Sequence, residues 1–182
     1  MANILTLAIF KTRVRNKLDD SSFSDSKLTQ FADDVNKDIF NSYIWPFCEK
    51  TFVGTVTTTT STYDFPSDHQ ATIDMTLIDP NATASFLTYV PYKQFDTSYP
   101  DPAQLTSATP TLWTRFGSSF IVGPSKPNAT YTLSMRYLKD PATISSDANT
   151  FDVPDSFAEL IVLGMYRRAL ESEDEWDLAQ PV

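Results

Sequence analysis

Apolar residues recur at helical spacing in the first part of the chain. Spacings of three and four residues place them on one stripe of a helix. This stripe is formed by Leu7, Phe10, Val14 and Leu18. A second helix is predicted to begin at Ser24, because Phe23 and Leu28 then occupy the positions of a hydrophobic staple around its N-terminus. Its stripe contains Leu28, Phe31, Ala32, Val35, Ile39 and Tyr43.

The second helix is predicted to end within the segment SYIWPFCEKTF, residues 42–52. Pro46 lacks an amide hydrogen and biases Trp45 away from the α region, so the helix has to end or kink there. Turns are usually polar, yet this one contains four aromatic residues. We therefore predict a buried corner, where the chain leaves a helical part, residues 1–49, and enters a different structure.

Between residues 50 and 152 the apolar period changes to two. Such alternation predicts strands with a single buried face. The alternating residues are Ile73, Met75 and Leu77 in one segment and Tyr131, Leu133, Met135 and Tyr137 in another. The residues GSS at 117–119 lie between two apolar runs and are a hairpin signal. These patterns predict an inserted antiparallel β-sandwich or barrel-like domain over residues 50–152.

Helical spacing returns in residues 153–182. Ser156 and Glu159 have the spacing of a capping box after Pro154. Apolar residues then occupy two adjoining faces, so this helix has to be covered nearly all round. Gly164 lowers helix stability by roughly 1 kcal/mol relative to alanine, which a close backbone approach would explain. The predicted fold class is α+β: the N- and C-terminal helices pack as a helical layer, and the β domain is inserted between them.

Composition and charge exclude several classes of function. The chain has 182 residues and is 41% hydrophobic, which suffices for one sizeable core. A net charge of −9 disfavours a protein that grips nucleic acid through a broad basic face, but it is compatible with DNA passing nearby. The single cysteine, Cys48, excludes an internal disulfide framework. No apolar run approaches the roughly 20 residues of a membrane span, so no membrane partner is expected.

Charged residues flank the predicted helical stripes. Arg13 and Lys17 lie on one side of the first stripe. Asp34 and Asp38 lie one turn apart along an edge of the second stripe. One interpretation is that all four are solvated and that the basic stems snorkel along apolar surface. The other is that they form charge pairs between helices or between subunits, with the two acids facing the basic flank of the first helix.

The sequence offers little for catalysis. The only histidine, His69, has no neighbouring nucleophile, and the four glycines are too widely separated for a phosphate-binding loop. The surviving enzymatic hypothesis is glycan chemistry, in which aromatic rings stack on sugars near Asp96 or Asp101; a glycosidase needs a second carboxylate, which no spacing identifies. The aromatic candidates are Tyr89, Tyr92, Tyr99 and Trp113. We expect no catalytic residues, no cofactor and no metal site.

Eight short segments occur in an order that carries more information than any one of them. They are RVRNKLD (13–19), FSDSKL (23–28), WPFCEK (45–50), YDFPSD (63–68), YPDP (99–102), ATPTLW (108–113), YTLSMRY (131–137) and VPDSF (153–157). Each alone is a cap, turn or core pattern. In this order, over almost the whole chain, they resemble the head-to-tail adaptor proteins of tailed bacteriophages, also called connectors, gatekeepers or tail tubular proteins.

The resemblance implies a structural virion protein without catalytic residues. Family members form a ring, usually of twelve subunits, beneath the portal, with the helices in the ring wall and the β domain facing outwards or towards tail or nozzle proteins. Packaged DNA is held in the lumen and later passes through it without specific binding. The implied location is the head–tail junction, after synthesis in the bacterial host cytoplasm. The chain departs from the family at Lys27, where glutamate is common, and it ends soon after Asp177, where many relatives continue.

Two alternative functions and one candidate contact complete the sequence-based hypotheses. The β domain of a glycan-binding or glycan-cleaving tail component would have the same pattern, and so would a free assembly factor absent from virions. Trp176 and Leu178 are candidates for portal contact, because apolar residues in an acidic segment need a partner. Their packing back on the same subunit is the alternative interpretation.

Overall fold

The computed structural model describes residues 5–101 and 104–173, which adopt an α+β fold, as predicted. The described helices are α1 (Leu7–Leu18), α2 (Asp25–Ser42), α3 (Tyr92–Ser98) and α4 (Ala158–Ser172). The described strands are β1 (Glu49–Val56), β2 (Thr62–Asp64), β3 (His69–Ile78), β4 (Ala84–Phe86), β5 (Thr88–Tyr89), β6 (Leu112–Phe116), β7 (Ser119–Gly123) and β8 (Tyr131–Lys139).

The chain forms two compact units. The helical unit contains the described residues up to Cys48 and from Asp140 onwards, and the β unit consists of Glu49–Lys139. The β unit is therefore inserted between two helical segments. The β unit spans Glu49–Lys139, and the predicted inserted domain spanned residues 50–152.

Hydrogen bonds explain why residues 140–152 lie with the helices. The Asn36 side-chain amide donates to the Ala142 carbonyl at 3.2 Å, and the Ile144 N–H donates to the Asp33 carboxylate at 2.8 Å. Asp33 thus has a structural role. The segment has neither helical nor alternating apolar spacing, so its pattern could not indicate which unit it joins.

Three helices enclose the core of the helical unit. Ser24 is the N-cap of α2, and both staple residues, Phe23 and Leu28, are buried, as predicted. The predicted capping box before α4 does not form, because a 3₁₀ turn at Asp155–Phe157 precedes the helix instead and no side chain caps it. The buried apolar side chains are Leu7, Phe10 and Val14 on α1, Leu28, Ala32, Val35, Ile39 and Phe40 on α2, and Ala158, Ile161, Val162, Met165, Ala169 and Leu170 on α4.

A buried lysine ties α1 to two other segments. Lys11 is only 5% exposed, and its ammonium lies 2.6 Å from the Asp147 carboxylate and 3.4 Å from that of Asp25. Arg15, one turn later, donates to the Asp25 carboxylate at 2.7 Å. The Arg15 hydrogen bond and the Lys11 charge hold the pKa of Asp25 below its usual value. Lys11 and Arg15 are therefore both engaged within the helical unit.

The β unit is a sandwich of two four-stranded sheets, with the orders β1-β8-β3-β4 and β2-β7-β6-β5. The predicted antiparallel arrangement is wrong at one pair, because β5 runs parallel to β6, and α3 lies in the connection between them. The predicted hairpin is confirmed at β6 and β7, where Gly117 has a positive φ of 61°. The described strands form no closed barrel, and both sheets contribute to one apolar core.

Gly164 brings the backbone of α4 close to Val35 of α2. A Cβ atom added there would lie 2.9 and 3.0 Å from the two γ-methyl carbons of Val35. Valine is β-branched and has little rotamer freedom in a helix, so these methyl groups cannot turn away. The close backbone approach predicted from the sequence is confirmed.

We predict that Gly164→Ala lowers the free energy of unfolding by about 1 kcal/mol, because overpacking outweighs the gain in helix propensity. Urea unfolding of the free chain measures this change. In the Gly164→Ala background, Val35→Ala should cost less than it does in the wild-type chain, since it removes the clashing methyl groups. A Gly164→Ala chain more stable than wild type would contradict this packing.

Candidate interaction surface

One face of α4 carries apolar side chains that the described part of the unit does not cover. Leu160 and Leu163 are 51% and 47% exposed and lie three residues apart, on one stripe. Ile161 and Met165 occupy the opposite arc and are almost completely buried. The sequence predicted a helix covered nearly all round, and the described residues of one chain leave this face of it uncovered. Large contiguous apolar patches on a protein surface mark contact sites, so the neighbours of this stripe decide its significance.

The aromatic corner after α2 is packed but only partly covered. Trp45 stacks on Phe47 with ring centroids 5.6 Å apart, and Phe157 meets Trp45 edge-on at 5.2 Å. The Trp45 indole N–H donates to the Ile39 carbonyl at 2.8 Å, which holds the ring in place. These contacts make the corner rigid without removing it from solvent.

The prediction of a buried corner is wrong for Tyr43 and Ile44, each 66% exposed. The helix ends at Ser42, and Tyr43 has extended backbone angles, φ −160° and ψ 157°. This geometry takes Tyr43 off the helical stripe to which the sequence assigned it. Phe157 lies three residues before Leu160, so the corner adjoins the α4 stripe. We call the combined set the apolar surface: Tyr43, Ile44, Trp45, Phe157, Leu160 and Leu163.

The two acidic residues predicted to form charge pairs share one partner on α4. Arg168 lies 3.6 Å from the Asp34 carboxylate and 2.5 Å from that of Asp38. The expected partner was the basic flank of α1, and the observed one is different. Because Arg168 is only one-third exposed, this double pair orients α4 against α2.

The remaining predicted charges and contacts have separate locations. Lys17 lies 3.1 Å from Glu159, which joins α1 to the first turn of α4. Arg13 is exposed on α1. Trp176 and Leu178 lie outside the described residues. The structure thus brings the charged candidates into pairs within one subunit, apart from Arg13, and pairs between subunits stay a prediction.

A groove of about 410 Å³ opens at an edge of the β unit. Its walls and floor are Ala71, Thr72, Ile73 and Asp74 of β3, Leu87, Tyr89 of β5, and Trp113 and Arg115 of β6. Two of the four predicted sugar-stacking residues are therefore in the groove. The other two pack elsewhere: Tyr92 on Phe116 and Tyr99 on Phe95.

The groove does not have the paired acids of a glycosidase. Asp74 is the one carboxylate among its lining residues, and it is bound by Arg136 through two hydrogen bonds. Asp96 and Asp101 do not line it. Across residues 5–101 and 104–173, no three His, Cys, Asp or Glu side chains are placed to hold a metal ion. No helix in the described part is long and apolar enough to cross a membrane.

Comparison with known families agrees with the order of segments in the sequence. The profile of the SU10 adaptor protein family matches residues 5–181. The chain belongs to the SU10 adaptor protein family. It is therefore a bacteriophage adaptor, a structural protein of the virion at the head–tail region. No curated protein matches the chain.

Sequence reasoning missed three features of the adaptor's surfaces. Leu163 was not singled out, although its spacing from Leu160 places it on the same stripe. Arg168 was overlooked as the partner of the two acids, because a charge pair between helices distant in sequence leaves no local pattern. The groove depends on a strand irregularity at Ile73, for which no residue type is diagnostic.

The adaptor's β unit also contains a polar cluster around Asp68. The Asp68 carboxylate lies 2.7 Å from the Lys50 ammonium and accepts a 2.8 Å hydrogen bond from the Tyr137 hydroxyl. Burial opposes ionisation, but these two hydrogen bonds prevail and lower the pKa of Asp68. His69 stacks on Phe65, with ring centroids 4.0 Å apart, beside this cluster. The arrangement is structural, because every charged group in it is used to join β1, β8 and the loop before β3.

We predict that Asp68→Asn lowers stability at pH 7 by about 1 kcal/mol. Since the pKa of Asp68 is lower in the folded chain, its contribution is present above the unfolded value near 3.8 and is lost as pH falls through the folded value. The difference in the free energy of unfolding between wild type and variant, measured with urea, should therefore become smaller as the pH falls from 5 to 2. Asp96→Asn, on an exposed carboxylate of α3, is the control. An Asp68→Asn difference that stays constant with pH would contradict this account.

Proposed function

We propose that the adaptor assembles as a ring beneath the portal, joins the capsid to the tail and forms part of the channel through which DNA is retained and ejected. The observation that supports this proposal is the apolar surface of the helical unit. In this surface Trp45 is held by ring contacts and a hydrogen bond, and Leu160 and Leu163 are each about half exposed in the described part of the chain. In a ring, each subunit would cover this surface on its neighbour.

Energetics favour a protein partner for this surface. Complete burial of a leucine side chain contributes about 1.5–3 kcal/mol relative to exposure. Leu160 and Leu163 are about half exposed, so a protein partner that buries the rest of each side chain would stabilise the assembly. Exposed aromatic residues such as Tyr43 are typical centres of binding energy at protein interfaces. When one surface meets a different surface of the next copy and the rotation closes, the product is a ring.

Charge agrees with a passage for DNA. The chain carries a net charge of −9, so a ring of twelve such subunits would repel the phosphate backbone and would not hold it. An acidic wall lets DNA move without specific binding. The proposal assigns the lumen-facing role to the solvated acids of the helical unit as a group and to no individual residue.

The rival functions predict different surfaces. A glycan-cleaving tail component needs two convergent carboxylates, and the groove has one. A free assembly factor would be absent from purified virions, whereas an adaptor is incorporated in them. Mass spectrometry of purified particles distinguishes the assembly factor from the adaptor. Recovery of this protein in an amount equal to the portal protein supports the ring, and its absence from the particles contradicts the ring.

We predict that the double variant Leu160→Glu/Leu163→Glu loses assembly while it keeps its fold. Light scattering should show wild-type chains forming a ring-sized complex with the portal of the same phage, and the variant staying free, because two carboxylates cannot be buried unpaired. Circular dichroism checks that the variant is folded. Ser26→Glu, at an exposed position in the first turn of α2, adds the same kind of charge away from the surface and should assemble normally. A double variant that assembles like wild type would contradict this role of the surface.

A further inference from the structure

We propose that the groove of the β unit binds a saccharide that carries a carboxylate, with a uronic acid residue as the simplest example. The groove is defined by the eight lining residues given above, all of which lie in the β unit. The proposal concerns recognition without cleavage. It does not depend on ring assembly, because none of these residues belongs to the apolar surface.

The groove adjoins an irregularity in β3. The pairing of β3 with β8 shifts register between Thr72 and Asp74, which leaves Ile73 outside the regular ladder. Ile73 lines the groove and is 49% exposed, although it is a large apolar residue in a strand. Irregularities of this kind bend a strand and re-aim its side chains, and they are frequent beside binding sites.

An aromatic wall rests on a buried floor. Trp113 and Leu87 are 7% and 6% exposed and form the base, whereas Tyr89 is 52% exposed. The Tyr89 and Trp113 rings are 4.8 Å apart, and the two residues are paired in the parallel ladder of β5 and β6. Tyr89 is therefore held by a fixed neighbour on one side and is open on the other. A sugar ring with its C–H groups on one face fits such a surface.

The charges of the groove favour an anionic ligand. Arg136 binds both carboxylate oxygens of Asp74 and neutralises it. Arg115 has no ion-pair partner among the described residues; its guanidinium lies 5.4 Å from the Phe65 ring centroid, and its Nε donates to the Gly117 carbonyl at 3.2 Å. These two contacts orient the guanidinium. The local charge at the groove is thus positive on a chain of net charge −9.

The combination of lining groups distinguishes a sugar acid from simpler ligands. Guanidinium and carboxylate form a bidentate pair, which would fix the orientation of a uronate on Arg115. The carboxylate oxygens of Asp74 retain lone pairs that can accept hydrogen bonds from ring hydroxyls. A volume of about 410 Å³ has room for one or two sugar rings. A purely apolar ligand would leave the guanidinium of Arg115 without an anionic partner.

Saturation-transfer difference NMR on the full chain, with methyl β-D-glucuronide and methyl β-D-glucoside as probes, tests the proposal. We expect a dissociation constant of about 1 mM for the glucuronide, as befits a small ligand, and binding about tenfold weaker for the glucoside. Tyr89→Ala should abolish the signal of both sugars. Arg115→Gln should lower glucuronide affinity to that of the glucoside. Phe86→Ala, at a 69% exposed aromatic residue outside the groove, is the matched control and should leave binding unchanged.

Three outcomes of the measurements with the two sugars would overturn the proposal. One is equal affinity for the two sugars in the wild-type chain, and another is a glucuronide signal that survives both groove variants. The third is the absence of any signal at a glucuronide concentration about 20-fold above the expected dissociation constant of about 1 mM. Displacement of the glucuronide by a short acidic peptide of higher affinity would assign the groove to a protein partner and would also overturn it. The assembly-deficient Leu160→Glu/Leu163→Glu chain should still bind the glucuronide, which keeps this test separate from that of the ring.

Discussion

The contact between Gly164 and Val35 determines which side chains of α4 face outwards. With no side chain at 164, the α4 backbone lies directly against the valine methyl groups of α2. This fixes the rotation of α4, so that Ile161 and Met165 face the core and Leu160 and Leu163 face outwards. Arg168, bound to two acids of α2, holds the same rotation at the far end of the helix. The apolar surface is a consequence of this packing.

The aromatic corner extends that surface and keeps it rigid. Trp45 is held by a hydrogen bond to Ile39 and by ring contacts with Phe47 and Phe157. A rigid apolar surface loses little conformational entropy on association, which favours assembly. In the β unit, by contrast, most apolar residues are buried inside the sandwich. The exposed apolar residues of this unit lie on the sheet faces and at the groove. The two units therefore offer different chemistry to partners.

Much of the fold could be predicted because it depends on local patterns. The staple around Ser24, the hairpin at Gly117 and the α+β class all follow from short-range spacing. Contacts between segments that are distant in sequence left no such signal. Residues 140–152 join the helices through hydrogen bonds of Asn36 and Asp33. The candidate surface was only half predictable: the excess of apolar residues on α4 was visible, but which leucines stay exposed depends on the approach at Gly164.

The central claim is that the outward face of α4 is covered by a neighbour in the assembled adaptor. Maleimide labelling of a Leu163→Cys variant tests it most directly, since the one native cysteine, Cys48, is buried. The account predicts rapid labelling of the free chain and strong protection in the complex with the portal. A Thr132→Cys variant, at an exposed position on β8, serves as the reference for general accessibility. Equal labelling of position 163 in the free and assembled states would contradict the account.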